Sequence, residues 1–369
     1  MAPRILALGP ASVALTFDDR AAADWLAEVM APCFAPAEGP AEWTFRLSSR
    51  KEAHAAVAAG RPPDAAPRVC FAHDTRTMSL PAWAEGSGGI ALADDERHCF
   101  LVVGPRRVDL AGDPASRRWR FTSMCVMQEI AATRLRRTEL DVHAAAVEAA
   151  GRAVLIVGRK GAGKTTVSLH LLRSGRCRAI ANDRVFAGTA GGRSHVRGIP
   201  TAVKLHPPTI AQFPELLRGL PRVERPYLHS LAELAQASAA QASTVHVGDT
   251  GELALSPAQL VRQMNTEARD VAPLGAVVFP QIRADIESWS VERLTPSEVG
   301  AEIWANLYGS ACGLRAPTLF EELTGGLSVP SRDLADAIAA SVIGYRVALG
   351  PRAYDDSAFA ARLLESVLG

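Results

Sequence analysis

A short glycine-rich segment constrains the fold of this chain more than any other feature. Residues 158–165 read GRKGAGKT and match the pattern G-x-x-x-x-G-K-[ST], which a chain of this length contains by chance on the order of 1 time in 100. An apolar stretch at 153–157 leads into the segment, and an amphipathic stretch at 164–174 follows it. The segment is therefore predicted to join a β-strand to an α-helix, the context in which this pattern binds phosphate groups.

The residue types in this segment are those that a polyphosphate site needs. Glycines let successive backbone N–H groups turn inward without Cβ clashes, and a helix that begins near Lys164 adds its positive N-terminal end. The Lys164 ammonium can reach the β and γ phosphates, and the Thr165 hydroxyl suits Mg²⁺, which prefers oxygen ligands. We expect ATP and Mg²⁺ to be bound by Gly158, Lys160, Gly161, Ala162, Gly163, Lys164, Thr165 and Thr166.

The bulk composition excludes several other classes of protein. The 369 residues suffice for two domains or one large one, and a net charge of +1 gives no general attraction to nucleic acid or to an anionic membrane. No apolar run reaches the ~18 residues that span a bilayer. The six cysteines form no C-x-x-C pair, so neither a zinc site nor a disulfide framework is expected. With no signal-peptide pattern at the N-terminus, these features indicate a cytoplasmic protein.

Residues 1–138 are predicted to form a smaller α+β domain, for which substrate recognition is one role. Hydrophobic periodicity and turn residues predict a strand at 4–16, a helix at 20–30, a strand at 42–47, a hairpin of 98–103 with 107–110, and a long helix at 115–137. The arginines of the long helix are typical of a solvated face. No aromatic residues are interleaved with them, so binding of single-stranded nucleic acid is not expected.

Residues 139–369 are predicted to form the nucleotide-binding domain, which makes the fold class α/β with mixed α+β character. Strands are expected at 142–148, 153–157, 177–181, 184–188, 244–248, 251–255, 274–279 and 287–293, with an extended segment at 194–205 and a low-complexity loop at 235–243. Helices are expected at 164–174, 207–218, 296–308, 331–349 and 356–368.

Sequence features of transport ATPases and GTPases are missing. A second apolar strand at 275–283 carries no acid at its tip, and neither N-K-x-D nor an LSGGQ-like run occurs. Asp183, in the segment RAIANDRV, is the one acidic residue at a predicted strand end close to the glycine segment. A carboxylate at this place suits metal binding or activation of a hydroxyl group.

Three blocks in order carry a resemblance to a known family. They are HAAAV beginning at His143, GRKGAGKTT beginning at Gly158, and ANDRV at 181–185. Together they resemble the catalytic domain of the HPr kinase/phosphorylase superfamily, including the HPr-kinase-related enzymes of peptide-modification pathways such as lasso-peptide kinases. The resemblance covers about residues 140–295. It implies an ATP-dependent kinase whose fold is similar to that of ATP-dependent phosphoenolpyruvate carboxykinases rather than to the Ras-like fold.

The resemblance also implies roles for individual residues. Lys164 would bind phosphate and Thr165 the metal ion, in agreement with the local chemistry above. Asp183 matches the second residue of a paired Asp-Asp in the family, which would make it both a catalytic group and a metal ligand. His143 matches a histidine that stands beside the phosphates, so it is a third candidate for a catalytic role.

Two departures from the family pattern affect the expected chemistry. The first Asp of the pair, which serves as the base in the family, is Asn182 here, and an amide takes no proton at neutral pH. Either Asp183 does both jobs, or His143 or His195 substitutes, or catalysis is weak. His195 also stands where the family's E-I-R-G segment has Glu. The region that follows, GIPTAVKLHP at 198–207, is unlike the family's region tied to phosphorolysis, so reverse phosphorylase activity is not expected. Substrate or phosphate contacts remain open for Asn182, His195, Arg197 and Lys204.

The first functional hypothesis is a kinase that transfers the γ-phosphoryl group of ATP to a Ser or Thr hydroxyl of a peptide or small protein. The second is a nucleotide-binding sensor or assembly protein without catalysis, which Asn182 favours, and the third is a kinase for a small metabolite. No nucleic acid or membrane partner is expected. Monomer and homo-oligomer both remain open.

Overall fold

The computed structural model describes residues 3–31, 33–73, 76–85, 88–116, 118–205, 207–217, 253–308, 318–325 and 331–369. The predicted loop at 235–243 and the predicted strand at 244–248 lie outside these ranges. Within them the chain is a mixed α/β protein with two large mixed sheets.

The first sheet comes from the N-terminal third of the chain. Its strands, in spatial order, are β3, β1, β2, β4, β9, β8, β7, β6 and β5, and β4 runs parallel to both β2 and β9. In chain order the strands are β1 (Arg4–Leu8), β2 (Ala11–Phe17), β3 (Ala35–Pro36), β4 (Trp43–Ser48), β5 (Ala66–His73), β6 (Arg76–Ala84), β7 (Ile90–Asp94), β8 (Cys99–Gly104) and β9 (Arg107–Gly112).

Three helices from the same part of the chain pack against this sheet. Helices α1 (Arg20–Met30) and α3 (Trp119–Leu135) pack on one face, and the short α2 (Lys51–Ala59) packs against β8 and β9. Asp19 caps α1, since its carboxylate accepts a hydrogen bond from the Ala22 backbone N–H at 3.0 Å. The predicted helix at 20–30, the strand at 42–47 and the hairpin of 98–103 with 107–110 are confirmed.

The second sheet carries the glycine segment. Its strands run in the order β10, β14, β15, β18, β12, β11 and β13, and β20 lies between β18 and β19. The bounds are β10 (Glu139–Val142), β11 (Ala144–Ala149), β12 (Arg152–Val157), β13 (Cys177–Ala181), β14 (Val185–Ala190), β15 (Arg193–Gly198), β18 (Val271–Ile282), β19 (Trp289–Leu294) and β20 (Ile343–Leu349). A separate small ladder joins β16 (Val203–Leu205) to β17 (Leu253–Leu255).

The second sheet is buried on both faces. Along β12, Val154 and Ile156 face one apolar cluster while Ala153, Leu155 and Val157 face another, so the strand is apolar throughout instead of alternating. The helices of this half are α4 (Lys164–Arg173), α5 (Pro207–Gln212), α6 (Pro257–Gln263), α7 (Pro296–Ala305), α8 (Leu319–Leu323), α9 (Arg332–Ser341) and α10 (Phe359–Leu368), with a 3-10 turn at Pro214–Leu217.

One predicted element is wrong in type. The expected helix at 331–349 is helix only to Ser341, and residues 343–349 form β20. Strand β20 pairs with β18 in parallel, from Ile343 opposite Ala276 to Leu349 opposite Ile282. That pairing joins residues far apart in sequence, and it overrides the helical periodicity of the local sequence.

Several other predicted elements are wrong in their bounds. The strand at 4–16 is a hairpin that turns at Gly9, which has a φ of +55°. The strand at 142–148 is interrupted at His143, the extended segment at 194–205 contains β15 and β16 as separate strands, and the helix at 207–218 divides into α5 and the 3-10 turn. The helix at 115–137 is shorter, at 119–135, and the next residue, Arg136, is buried rather than solvated.

The two sheets come from separate parts of the sequence, 4–112 and 139–349. Apolar side chains from the second part nevertheless pack into the core of the first sheet. Leu319 and Phe320 of α8 pack into the apolar core of the first sheet, together with Phe186 of β14. The division at residue 138 into independent domains therefore stays a prediction. In the described part of the chain no helix is long and apolar enough to cross a membrane.

Candidate functional site

The glycine segment forms a loop between β12 and α4. Gly161 and Gly163 have φ angles of +83° and +98°, which L side chains rarely adopt. At Gly158 the constraint is contact, because a Cβ there would lie 3.0 Å from the Ala162 Cβ. Gly161 and Gly163 are thus required by their backbone angles, and Gly158 by the lack of space for a side chain.

The loop lies at the carboxyl end of three parallel strands. Ile156 of β12 pairs with Val278 of β18, and β18 pairs in parallel with β20. A Cβ at Gly163 would lie 3.4 Å from Leu349 and 3.9 Å from Ile282, so the ends of β20 and β18 stand behind the loop. In open α/β sheets this edge is where ligands bind.

Lys164 is the buried cation of the loop. Its Nζ donates hydrogen bonds to the carbonyl oxygens of Gly158 at 2.7 Å and Arg159 at 3.3 Å, and it lies 3.2 Å from His143 Nε2. Burial lowers the pKa of Lys164 to about 8, although the nearby Asp183 carboxylate opposes the shift. The ammonium is therefore held across the loop at an energetic cost, as expected of a group kept there for a ligand.

Strand register brings His143 and Asp183 together beside Lys164. Val142 pairs with Val185 across β10 and β14, which places His143 next to the turn that precedes β14. His143 Nε2 lies 3.1 Å from Asp183 Oδ1. Asp183 has a φ of +79°, a conformation that Asp tolerates better than most non-glycine residues. Lys164, His143 and Asp183 are called the loop cluster below.

The His143 Nε2 atom faces a donor and an acceptor at the same time. When Nε2 has a free lone pair it accepts a hydrogen bond from Lys164, and when it carries a proton it donates to Asp183. The loop cluster therefore places one hydrogen-bond acceptor or donor between a cation and a carboxylate, next to the glycine loop. Such an arrangement suits general acid–base catalysis.

Asn182 occupies a buried position before Asp183. Its backbone carbonyl accepts a hydrogen bond from the Thr201 hydroxyl, and the residue borders a small cavity that Ser168 and Cys33 also line. The close approach of Gly198 to the Ile180 carbonyl brings the segment before Thr201 against the end of β13. These contacts fix the backbone of the turn that presents Asp183.

His195 and Arg197 belong to a different cluster. His195 Nε2 lies 3.2 Å from Glu139 Oε1, and Arg197 Nε lies 3.6 Å from the same oxygen. His195 pairs with Pro273 of β18. The next residue of β18, Leu274, pairs with Ala153 of β12, so His195 lies level with the start of β12. Ala153 is five residues from Gly158, or about 16 Å along a strand. The structure therefore does not bring these residues to the loop; Glu139, His195 and Arg197 are called the far cluster.

The remaining predicted site residues lie around the loop or on the small ladder. Lys160 is exposed, Ala162 is half-buried, and Thr165 and Thr166 are half-buried in the first turn of α4. Lys204 is half-buried on β16, opposite Ala254. All of these assignments stay predictions.

The donor atoms fit ATP and Mg²⁺. The loop offers backbone N–H groups, one ammonium and the N-terminus of a ten-residue helix to phosphates, and Thr165 and Asp183 supply the oxygen atoms that Mg²⁺ prefers. Among the described residues no group of three or more His, Cys, Asp or Glu side chains is arranged to hold a metal ion. A metal ion here would thus depend on ligand oxygens as well as on the protein.

Sequence reasoning missed the residues that support the loop cluster. The His143 backbone N–H donates to the Asn306 carbonyl at 2.8 Å, and the Tyr308 ring lies edge-on to the His143 ring at 6.3 Å. Asp141 and Arg184 form a buried ion pair beneath His143 and Asp183. Their positions, two before His143 and one after Asp183, were a signal in the sequence, whereas nothing pointed to residues 306 and 308.

Comparison with known proteins gives no family. No protein-family model matches the chain, and no curated protein matches it. Among solved structures it is similar to the HPr(Ser) kinase/phosphatase from Coxiella burnetii, with a TM-score of 0.26 and 8% identity over 61% of this chain and 94% of that chain. Because so low a TM-score does not establish a common fold, we base the function on the residues of this chain alone.

Proposed function

We propose that this protein is an ATP-dependent phosphotransferase with a P-loop kinase domain, which acts on a Ser or Thr hydroxyl of a peptide or small protein. The observation that carries the proposal is the loop cluster. A buried ammonium at a glycine loop lies 3.2 Å from an imidazole nitrogen, which lies 3.1 Å from a carboxylate. These are the groups that phosphoryl transfer requires, namely charge neutralisation at the phosphates and a proton acceptor for the attacking hydroxyl.

The loop binds and orients the triphosphate. Backbone N–H groups of the loop and of the first turn of α4 would bind the phosphates, and Lys164 would leave its carbonyl partners to neutralise charge on the transferred group. The bond from the γ-phosphorus to the β–γ bridging oxygen breaks, and the acceptor oxygen forms the new bond. The proton of the acceptor hydroxyl passes to the His143–Asp183 pair, and ADP is the leaving product.

Asn182 stands where the expected base would be, so another group must accept the proton, and we assign this role to the His143–Asp183 pair. Asp183 is the carboxylate of the turn, and His143 contacts it, whereas His195 contacts Glu139 in the far cluster. Of the alternatives that the sequence leaves open, we favour Asp183 acting together with His143. Thr165 and Asp183 would hold Mg²⁺, which when bound supplies a positive charge to the phosphate oxygens. ATP use is compatible with the cytoplasmic location expected from the sequence.

The proposal is tested by incubating the protein with γ-labelled ATP, Mg²⁺ and candidate Ser- or Thr-containing peptides. Transfer of label should depend on Lys164 and on Asp183. The control is Lys160→Ala, which removes an exposed lysine of the same loop and should reduce transfer far less than Lys164→Ala. Undiminished transfer by Lys164→Ala would contradict the mechanism.

The second candidate function is nucleotide sensing without turnover, and the observation that favours it is Asn182. This position is buried next to the turn, so an amide here removes a base that solvent cannot replace. Under this alternative, ATP binds, no label is transferred, and Asn182→Asp creates or raises activity. Brisk transfer by the wild-type protein would exclude it. A small-metabolite acceptor is the third candidate, and a sugar or amino acid in the same assay tests it.

A further inference from the structure

A buried ion pair ties together the two chain segments that carry His143 and Asp183. Arg184, directly after Asp183, donates from Nε to Asp141 Oδ1 at 3.1 Å and from Nη2 to Asp141 Oδ2 at 2.8 Å. Asp141 lies two residues before His143 on β10. Two parallel hydrogen bonds of this kind fix orientation as well as distance.

The pair is enclosed on every side. The Arg184 side chain is 1% exposed and the Asp141 side chain 6%, and the Arg184 guanidinium lies 4.5 Å from the centre of the Tyr308 ring. The Tyr308 backbone N–H donates to the Asp141 carbonyl at 2.6 Å. Burial alone would raise the pKa of Asp141, but Arg184 and Arg136 lower it, so the carboxylate is charged at neutral pH.

The Asp141 carboxylate is also bonded to Arg136, which follows helix α3 of the first sheet. Arg136, at the end of α3, donates to Asp141 Oδ2 at 3.0 Å, to Glu129 Oε1 at 2.9 Å and to Glu321 Oε1 at 3.1 Å. Glu129 belongs to α3 and Glu321 to α8, so Asp141 is held by a second guanidinium besides that of Arg184. A buried charged network of this kind costs desolvation energy that well-packed apolar side chains would avoid.

We propose that Arg184 and Asp141 are positioning residues, which set the distance between His143 and Asp183. Arg184 directly follows Asp183 and Asp141 lies two residues before His143, so their ion pair links β10 to the turn that carries Asp183. Asp183 occupies an uncommon backbone conformation, so it needs such a restraint from its neighbour. The effect on phosphoryl transfer rests on the function proposed above, whereas the effect on the His143–Asp183 contact does not.

The test compares Arg184→Lys, Asp141→Asn and the double variant Asp141→Asn/Arg184→Gln. For each we would measure the His143 Nε2–Asp183 Oδ1 distance by crystallography, MgATP affinity by calorimetry, and the rate of transfer. Both single variants should lengthen the distance beyond hydrogen-bonding range and slow transfer roughly 10- to 100-fold. MgATP affinity should stay within about threefold, because the loop's own contacts with phosphate are untouched.

The double variant separates positioning from loss of stability. It replaces the ion pair by a neutral hydrogen-bonded pair and leaves no single buried charge behind, so it should transfer faster than either single variant. The matched control is Arg97→Gln, which breaks the partly buried ion pair between Arg97 and Asp94 of β7. It should lower the melting temperature without slowing transfer.

Three results would overturn the proposal: an unchanged His143–Asp183 distance in Arg184→Lys, a wild-type transfer rate in both single variants, or a double variant no faster than the singles. If the wild-type protein transfers no phosphate, the proposed function fails, but the distances in the three variants still decide whether Arg184 and Asp141 position the pair.

Discussion

The loop cluster and the far cluster use nearly the same side chains. Each joins a histidine to a carboxylate, at 3.1 Å and 3.2 Å, beside a further cation, Lys164 in one and Arg197 in the other. The two clusters differ in the solvent exposure of the carboxylate. Asp183 is 25% exposed, whereas Glu139, the first residue of β10, is 7% exposed. The comparison teaches that similar residue types need not share a role: only the pair next to the glycine loop is in a place to act as the catalytic group proposed above.

The largest difference between the two clusters is expected when the cation of each is removed. Lys164→Ala should weaken MgATP binding by about 100-fold, since several charge-assisted hydrogen bonds to phosphate are lost. Transfer at limiting ATP should fall further, by roughly another 100-fold, because the transferred group loses its neutralising charge. Arg197→Ala should change neither quantity. Calorimetry and label transfer measure the two effects, and equal losses in both variants would contradict the distinction.

Replacing the carboxylate or histidine of the loop cluster should affect catalysis more than binding. Asp183→Asn and His143→Gln are expected to lower the transfer rate by roughly 10²- to 10⁴-fold, the usual contribution of a general base, with MgATP affinity within a few-fold of wild type. Asparagine is the preferred substitution because it also tolerates the left-handed backbone at 183. A rate unchanged in both variants would show that the pair takes no proton.

The stability of the protein should depend on pH through Lys164. Its pKa is lowered from 10.5 to about 8 in the folded protein, so between these values the unfolded chain binds the additional proton. Stability should therefore rise as pH increases from 8 to 10.5 and be lost again as pH falls through 8. The gain is up to about 3 kcal/mol, measured as the unfolding free energy of wild type relative to Lys164→Met. An identical pH profile for the two proteins would refute it.

The smallest effect is expected in the far cluster. His195→Gln removes one contact to the buried Glu139 and should destabilise the protein by about 1 kcal/mol, without altering transfer or MgATP affinity. Thermal denaturation and label transfer on the same samples provide the measurement. A His195 variant that folds normally but transfers slowly would place this histidine in the catalytic machinery and erase the distinction between the clusters.

Local sequence was sufficient wherever structure depends on neighbours along the chain. The strand–loop–helix around Lys164 follows from an apolar stretch, three glycines and a helix, and the structure has all three in place. The helix at 20–30 follows from its cap at Asp19 and its periodicity. These features need no information from distant residues.

Sequence was insufficient where a distant partner decides the outcome. Residues 343–349 are a strand because β18 lies beside them. Position 344 must be glycine, because a Cβ there would collide with the Val299 side chain. The contact between His143 and Asp183 likewise depends on the register of β10 with β14. Arg136 was expected on a solvated face, but Glu129, Asp141 and Glu321 surround it.

The strands behind the loop have a consequence for the order in which the chain is made. The loop is complete in sequence by residue 165, yet its neighbours Ile282 and Leu349 are synthesised more than one hundred residues later. During translation the glycine segment therefore emerges from the ribosome long before the strands that pack behind it. On the proposed function, tight nucleotide binding would require these two strands to be in place, so it would report that the second sheet has finished assembling.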